Sequence, residues 1–404
     1  MTQNKWISIT LGAACKLSTG KTPSKKRLSS FGGDIPFVKP GDLDKGIFIT
    51  RTEETLSQQG LEEAPALPKD TVLVSCIGNL GKKAILNCLG SCNQQINAIL
   101  PSPYVDSKFI YYYIDIIRPW MIRNASATTV TILNKGKFSE APLVLPPMAE
   151  QKRIVKKIEE LFGVIDKQVK RLEAAQDALV SYRQSILSDC LKNATGISTT
   201  LGKIVKPRRE RVSFDGTNGH IIFIGMDCIE PNALKPHKTD LLENTKSTCF
   251  VFHKDDVLYG RMRSYLNKVF KAETNGAASA EFIVFPPTDT ILSDYLKYLL
   301  HQQDFVSFAT RNASGDRPRV KFEEDLAPFP FTLPSLSEQK AIVKKIETAF
   351  AFADKAQAAI TNALEQAKQL KQSILKRAFE GKLVPQDPND KPINLTQLKK
   401  DKQK

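Results

Sequence analysis

The sequence predicts an α+β protein in which two small modules alternate with two long helices. Two segments with heptad-spaced apolar residues repeat each other 188 residues apart. The regions in front of them contain short β-branched and aromatic runs separated by turn residues, which is typical of strands in twisted sheets. With 404 residues, the chain is long enough for two or three domains with cores of their own.

The first module is predicted over residues 1–145. Its strand-like runs include Phe37-Val38 and Thr71-Val72-Leu73-Val74. The module ends at Pro146-Pro147, because proline is accepted at the start of a helix and excluded from its interior.

The first long helix is predicted over residues 146–193, with the string LPPMAEQKRIVKKIEELF starting at Leu145. About 45 residues at about 1.5 Å each give roughly 65–70 Å of helix. Its apolar seam follows alternating steps of three and four residues and is completed by Ala175 and Tyr182. The seam residues are Ile154, Ile158, Leu161, Ile165, Leu172, Leu179 and Ile186.

The second module is predicted over residues 194–333, and it corresponds to the first. Leu201-Gly202 resembles Leu11-Gly12, and the string RNAS at Arg123 recurs at Arg311, again 188 residues later. Its own strand-like runs are Ile221–Ile224 and Phe282–Phe285. Two divergent modules on a repeated frame suggest that the frame is constant while the modules recognise different things.

The second long helix is predicted over residues 334–384 and a polar basic tail over 385–404. Its string LPSLSEQKAIVKKIETAF places Glu338 where the first helix has Glu150. The seam of this helix is rich in alanine, so the larger side chains of the first helix fit against it. We expect one internal coiled coil, and two separate intermolecular coiled coils remain the alternative. The second seam consists of Ile342, Ile346, Ala349, Ala353, Ala356, Ile360, Ala363, Ala367, Leu370 and Ile374.

The charge balance favours an anionic partner. The chain has 58 Lys and Arg against 43 Asp and Glu, a formal charge of +15. An acidic membrane surface fits less well than nucleic acid, because no apolar run approaches the roughly 20 residues that span a bilayer. The alternative is that the charge serves solubility alone. The seven irregularly spaced cysteines and the absence of a signal-peptide pattern favour a reducing cytoplasm.

No motif of catalysis or cofactor binding is found in the sequence. Phosphate-binding and dinucleotide-binding glycine loops are missing, and so is the [DN]PP[YF] element of DNA amino-methyltransferases. Asp255-Asp256 is interpreted as a turn and not as a metal site. Cys88 and Cys92 would need two further ligands to hold zinc. We therefore predict no catalytic, cofactor-binding or metal-binding residues in this chain.

The residues suited to DNA fall into groups in both modules. Hydroxyls, lysines and backbone amides bind phosphates, asparagine and glutamine match adenine, and arginine matches guanine. The alternative for each is an ordinary solvated surface side chain. The first-module candidates are Thr19, Lys21, Ser24, Lys25, Lys26, Arg27, Gln94, Gln95 and Asn97. The second-module candidates, whose arginine content predicts a half-site with guanine, are Arg208, Arg209, Arg211, Arg261, Arg263, Tyr265, Lys268, Arg311, Asn312, Arg317 and Arg319.

These motifs resemble the specificity (S) subunits of type I restriction–modification enzymes. The resemblance lies in the two LPxxxEQKxIVxKIE strings, the Gln-Ser-Ile-Leu helix ends and the closing string from Leu375 to Pro385. The string from Ser18 to Ser24 also resembles the start of a first recognition module. The resemblance extends over nearly the whole chain, and the duplicated string is highly specific.

The resemblance implies a non-catalytic protein with two target recognition domains on a pair of antiparallel helices. Each domain would recognise one half of an interrupted, asymmetric site in double-stranded DNA. The helices would dock methyltransferase (M) subunits, typically two, and restriction (R) subunits would join them. S-adenosylmethionine would then belong to the M subunits, and ATP and magnesium to the R subunits. The alternatives are a type IIB-like restriction–modification partnership and a coiled-coil protein that binds nucleic acid nonspecifically.

Overall fold

The long helices dominate the structure, a computed structural model that describes residues 5–24, 26–127 and 130–398. It divides into two units, one of residues 1–170 with 364–404 and the other of residues 171–363. Its α-helices, in chain order, are α1 (Leu11–Ala14), α2 (Gln58–Glu63), α3 (Ser107–Asn124), α4 (Lys135–Ser139), α5 (Met148–Lys192), α6 (Leu201–Ile204), α7 (Ser293–His301), α8 (Gln303–Asn312) and α9 (Leu336–Phe379).

The first unit contains a five-stranded sheet and a three-stranded sheet. The strand orders are β2-β9-β6-β7-β4 and β5-β3-β8, and two-stranded pairs join β1 to β12 and β10 to β11. The strands are β1 (Ile7–Thr10), β2 (Leu17–Thr19), β3 (Phe31–Val38), β4 (Phe48–Ile49), β5 (Thr55–Leu56), β6 (Val72–Ser75), β7 (Lys83–Leu86), β8 (Ser91–Cys92), β9 (Ile96–Ile99), β10 (Ser126–Ala127), β11 (Thr131–Ile132) and β12 (Pro142–Leu145).

The second unit also contains a five-stranded and a three-stranded sheet. Their orders are β14-β17-β20-β15-β16 and β19-β18-β21, and β13 pairs with β22. The strands are β13 (Ile197–Thr200), β14 (Arg211–Val212), β15 (Ile222–Ile224), β16 (Asp240–Leu241), β17 (Cys249–Phe252), β18 (Val257–Gly260), β19 (Val269–Lys271), β20 (Gly276–Ala278), β21 (Phe282–Phe285) and β22 (Pro330–Leu333). The mixed helix and sheet confirm the predicted α+β class.

The start and the end of each module meet in an antiparallel strand pair. Ile7 lies opposite Leu145 in the first unit, and Ile197 lies opposite Leu333 in the second. Each pair leads directly into a long helix. These strand pairs therefore close each module immediately before its long helix, at equivalent positions of the two repeats.

The glutamine of each EQK string explains why that string occurs twice. Gln151 is fully buried, and its amide nitrogen donates to the carbonyls of Tyr104 and Pro146, both at 2.9 Å. Gln339 donates in the same way to Thr290 and Pro334, both at 3.0 Å. Buried backbone carbonyls need such partners, so each glutamine fixes the joint between a module and its helix.

The two long helices pack against each other in antiparallel fashion within each unit. In the first unit, Ile154 and Ile158 at the start of α5 share a core with Ile374 near the end of α9. In the second, Leu187 at the end of α5 shares a core with Ile346 at the start of α9. The predicted internal coiled coil is therefore confirmed.

Candidate nucleic-acid interface

Two loops of the second module meet at the end of its three-stranded sheet. The amide of Arg261 donates to the carbonyl of Glu281 at 2.8 Å, which extends the β18–β21 ladder by one residue. The segment that follows α8 then returns along this loop. Met262 forms an antiparallel bridge with Arg319, and the amide of Arg263 donates to Pro318 at 2.8 Å.

This pairing merges two candidate clusters that are separate in the sequence. The arginine cluster, defined as Arg261, Arg263, Arg317 and Arg319, lies on the two paired loops. One of its charges is compensated, because Arg319 forms a 2.6 Å ion pair with Glu281. Within the described residues, the guanidinium groups of Arg263 and Arg317 make no ion pair. The surface therefore keeps free cationic donors, as a phosphate or a guanine edge requires.

Glu281 is a residue that the sequence interpretation missed. Its Oε2 and the Nε of Arg261 are buried, and neither has a hydrogen-bond partner in the part of the chain that the structure describes. Buried polar atoms without partners are costly, and they occur where a ligand or water completes the network. Its position in the sequence could have indicated this residue, because Glu281 directly precedes strand β21 as Gln95 directly precedes strand β9.

The first module builds the same arrangement from other residues. The amide of Cys76 donates to the carbonyl of Gln95 at 2.9 Å, as Arg261 does to Glu281. Ile77 bridges Ile132 on the returning segment, and the amide of Gly78 donates to Thr131 at 2.8 Å. The backbone of the surface is thus duplicated, whereas its side chains are uncharged here and cationic in the second module.

The Thr19–Ser24 loop of the first module lies beside this surface. The Lys21 amide donates to Cys92 at 2.9 Å, and the Thr22 hydroxyl donates to the side chain of Gln94 at 2.7 Å. The structure thus brings the candidates Lys21, Gln94 and Gln95 together. The Lys21 and Gln94 side chains are exposed.

The structure buries another candidate, Asn97, in the sheet. Asn97 is 2% exposed; its side-chain oxygen accepts a hydrogen bond from the Thr19 hydroxyl at 2.9 Å, and its nitrogen donates to Leu133. This amide joins strands of the module and is not available to a base edge. Its position on a β-strand, where alternate side chains point inward, is what the sequence interpretation did not weigh.

The basic loop after Ser24 is anchored by an acidic residue. Arg27 forms a 2.9 Å ion pair with Glu63, which also accepts from the Ser24 amide. The Ser24 amide and the Arg27 guanidinium lower the pKa of the Glu63 carboxyl. Lys26 is exposed, and Lys25 lies outside the described residues.

Arg208 is a structural residue of the second module. Its guanidinium binds Asp256 through two hydrogen bonds, at 2.9 and 3.1 Å, and the Asp256 side chain is fully buried. Asp256 also accepts from the His253 amide at 2.9 Å, which explains the Asp255-Asp256 pair as a turn. Removing either partner would leave a buried charge uncompensated, so this pair maintains the fold.

The other second-module candidates lie in several places. Arg209 pairs with Glu323 at 2.7 Å on an exposed surface, and Arg211 lies over the ring of Phe250. Tyr265 and Arg311 are exposed. Lys268 donates a hydrogen bond to the carbonyl of Met226, and Asn312 donates one to the carbonyl of Asp325.

The described part of the chain contains neither a cluster of metal ligands nor a membrane-spanning helix. Among residues 5–24, 26–127 and 130–398, no group of three or more His, Cys, Asp or Glu could hold a metal ion. None of the helices in these ranges is long and apolar enough to cross a membrane. The thiol of Cys92 is buried, and burial raises its pKa to about 12.

Comparison with known proteins identifies the family. The family described as "Type I restriction modification DNA specificity domain" matches residues 3–174 and 202–366, so both modules and most of both helices are included. The chain belongs to this family. Membership of the specificity-domain family places the chain among the non-catalytic DNA-specificity subunits.

Individual relatives are similar to this chain over most of its length. The specificity subunit of the type I restriction enzyme EcoDI from Escherichia coli is 24% identical, over 94% of this chain and 89% of its own. A chain solved for complex assembly and conformational transition of the type I R-M system has a TM-score of 0.76 at 18% identity, over 95% of this chain and 99% of that one. The HsdS subunit from Thermoanaerobacter tengcongensis has a TM-score of 0.57 at 18% identity, over 94% and 97%. Both solved chains share this fold.

Proposed function

We propose that this chain recognises a bipartite, asymmetric DNA site for a type I restriction–modification complex. Residues 1–145 and 194–333 are the two target recognition domains, and each recognises one half of the site. The observation that supports this most strongly is the duplicated loop pair at Gln95 and Glu281. One backbone arrangement with two different sets of side chains is suited to two different half-sites.

The proposed DNA surface of the second module centres on the arginine cluster. Free guanidinium groups on two loops that are paired by backbone hydrogen bonds can donate to phosphates and to guanine, because no ion pair has to be broken first. Tyr265 and Lys268 lie on the same loop and extend the polar surface. We therefore keep the prediction that the half-site of this module contains guanine.

The first module offers a more neutral surface of amides and lysine. Lys21 and Gln94 are exposed and close together, and Lys26 adds a positive charge on the neighbouring loop. Glutamine can accept from and donate to an adenine edge, whereas lysine binds phosphate. We assign these residues to DNA binding and assign Asn97 and Arg208 to the fold.

The long helices are proposed to dock the partner subunits. Exposed apolar side chains on them include Val164 at 59% and Leu370 at 52% in the first unit, and Val180 at 60% and Phe352 at 64% in the second. Such side chains favour a protein partner, because burial of apolar surface drives association. Two M subunits with S-adenosylmethionine, and R subunits with ATP and magnesium, are the partners we propose in the cytoplasm.

The proposal is tested by co-expressing the full-length chain with its neighbouring genes and mapping modified bases in the host genome. We expect a methylated motif of two short half-sites with a fixed gap, which disappears when this chain is deleted. A motif that persists without the chain contradicts the proposal.

Cleavage and binding assays on the co-expressed complex distinguish the alternatives. Cleavage on both sides of the methylated motif would indicate a type IIB-like system. Binding that depends on salt but is indifferent to DNA sequence would indicate a nonspecific nucleic-acid-binding protein.

A further inference from the structure

Arg263 has a left-handed backbone conformation, with a φ of +54°. Side chains with a Cβ destabilise this conformation, so glycine, asparagine and aspartate usually occupy it. The other described non-glycine residues with positive φ are all of the last two types: Asp44, Asp70, Asn232, Asp255 and Asn267. Among these described residues, Arg263 alone has no short polar side chain that could support the turn locally.

The equivalent position of the first module is a glycine. Gly78 has a φ of +74°, and like Arg263 it follows the bridging residue and donates its amide to the returning segment at 2.8 Å. A Cβ on Gly78 would have no heavy atom within 4 Å. The positive φ of this turn therefore favours glycine here, and crowding by neighbouring atoms does not. The second module has an arginine at this position, although a residue with a Cβ is disfavoured at this positive φ.

The side chain of Arg263 has no structural role among the described residues that would explain this. It is exposed and makes no side-chain hydrogen bond or ion pair, whereas its neighbour Arg319 is held by Glu281. The turn itself is fixed on both sides, because Arg263 donates its amide to Pro318 and accepts from the Leu266 amide, both at 2.8 Å. A free guanidinium is thus presented from a rigid turn.

We propose that Arg263 is a specificity-determining residue that recognises a guanine in the half-site of the second module. The inference rests on the proposed function and assigns one position within it. The planar fork of arginine matches the O6 and N7 acceptors of guanine in the major groove. Residues in unfavourable backbone conformations cluster at functional sites, where the surrounding structure holds them in place.

The decisive variant is Arg263→Lys, which keeps the positive charge and loses the planar fork. The full-length chain, co-expressed with its modification partners, is presented with random DNA, and the bound sequences are determined. We expect the preference for guanine at one position of one half-site to fall by roughly 10- to 100-fold. The other half-site, the gap and the salt dependence of binding stay unchanged.

A second variant, Arg263→Gly, separates recognition from folding. Glycine is the residue that this turn favours, so we expect the same loss of guanine preference with a melting temperature no lower than that of the unaltered chain. The matched control is Asp70→Gly, which places glycine at an exposed left-handed position of the first module. This control leaves the second half-site unchanged.

The outcomes separate the two proposals. If Arg263→Lys binds DNA with the guanine preference intact, or if Arg263→Gly lowers the melting temperature and leaves the motif unaltered, Arg263 is a structural residue and the inference is wrong. If the unaltered complex shows no sequence preference, the proposed function itself fails.

Discussion

Side chains of one chemical type have opposite roles in this protein, depending on their neighbours. Arg208 is compensated by the buried Asp256, whereas Arg263 is uncompensated and exposed. Asn97 is locked between strands, whereas Gln94 faces solvent. Residue chemistry therefore selects candidates for DNA binding, and the local partners decide which of them are available.

His301 is a buried residue that makes stability depend on pH. Burial lowers its pKa from 6.5 to about 4, and the nearby charge of Lys297 acts in the same direction. Because the imidazole is neutral when folded, the unfolded chain binds more protons between pH 6.5 and 4. The contribution of His301 to the free energy of unfolding is complete above pH 6.5 and is lost as the pH falls from 6.5 to 4.

We expect His301→Leu to reduce this pH dependence. Between pH 7.5 and 5.5, the histidine contributes a loss of about 1.4 kcal/mol in the free energy of unfolding. The Nδ1 of His301 has no hydrogen-bond partner within the described chain, so leucine removes no bond there. Chemical denaturation of both proteins at the two pH values measures the difference. Equal pH dependence in the two proteins would show that His301 does not titrate as inferred.

At the scale of elements, each long helix is fixed to its module by the same joint. The buried Gln151 and Gln339 satisfy the carbonyls where strand becomes helix, and the seams of α5 and α9 then meet in antiparallel order. Each joint therefore ties the first turn of a long helix to the module in front of it. The role of the helices as a spacer between the half-sites remains a prediction.

We predict that inserting one heptad into both α5 and α9 changes the gap between half-sites and leaves their letters unchanged. Seven residues add about 10 Å of helix, which corresponds to about three base pairs. A heptad preserves the apolar seam, so the helices still pair. Selection of binding sites from random DNA measures the gap. Changed letters at an unchanged gap would contradict the spacer role.

At the scale of the whole molecule, the described end of the chain is tied to its beginning within the first unit. Lys5 donates to the carbonyl of Asp390 at 2.7 Å, and Arg153 binds the Asp390 carboxylate at 2.6 and 3.1 Å. Arg153 lowers the pKa of Asp390. The segment after α9 therefore braces the start of α5, although its sequence predicts only a polar tail.

We expect Asp390→Asn to loosen this brace. Amide hydrogen exchange of residues 148–156 is predicted to become faster, and the melting temperature to fall by about 2–4 °C, because a charged hydrogen-bonded pair is lost. The control is Asp304→Asn, which removes a 3.0 Å ion pair with Lys192 between two exposed side chains. Unchanged exchange at the start of α5 would show that the brace contributes nothing.

Periodicity and duplication can be recognised directly in the amino-acid sequence. The repeated strings at Leu145 and Leu333, with their heptad seams, were sufficient for the α+β class, the long helices and the family, because apolar spacing specifies a helix face directly. The arginine content of the second module, read from the sequence alone, remains a prediction of a DNA-binding surface.

Which of those side chains share a surface depends on contacts between segments that are distant in the chain. Met262 and Arg319 are neighbours through a backbone bridge between segments distant in the chain, and Glu281 enters the cluster through the sheet register. The left-handed turn at Arg263 depends on the pairing of its loop with Pro318, and the burial of Asn97 depends on the pairing of β9 with β2 and β6 in the first module. Strand register and loop contact are long-range properties, so local spacing does not contain them.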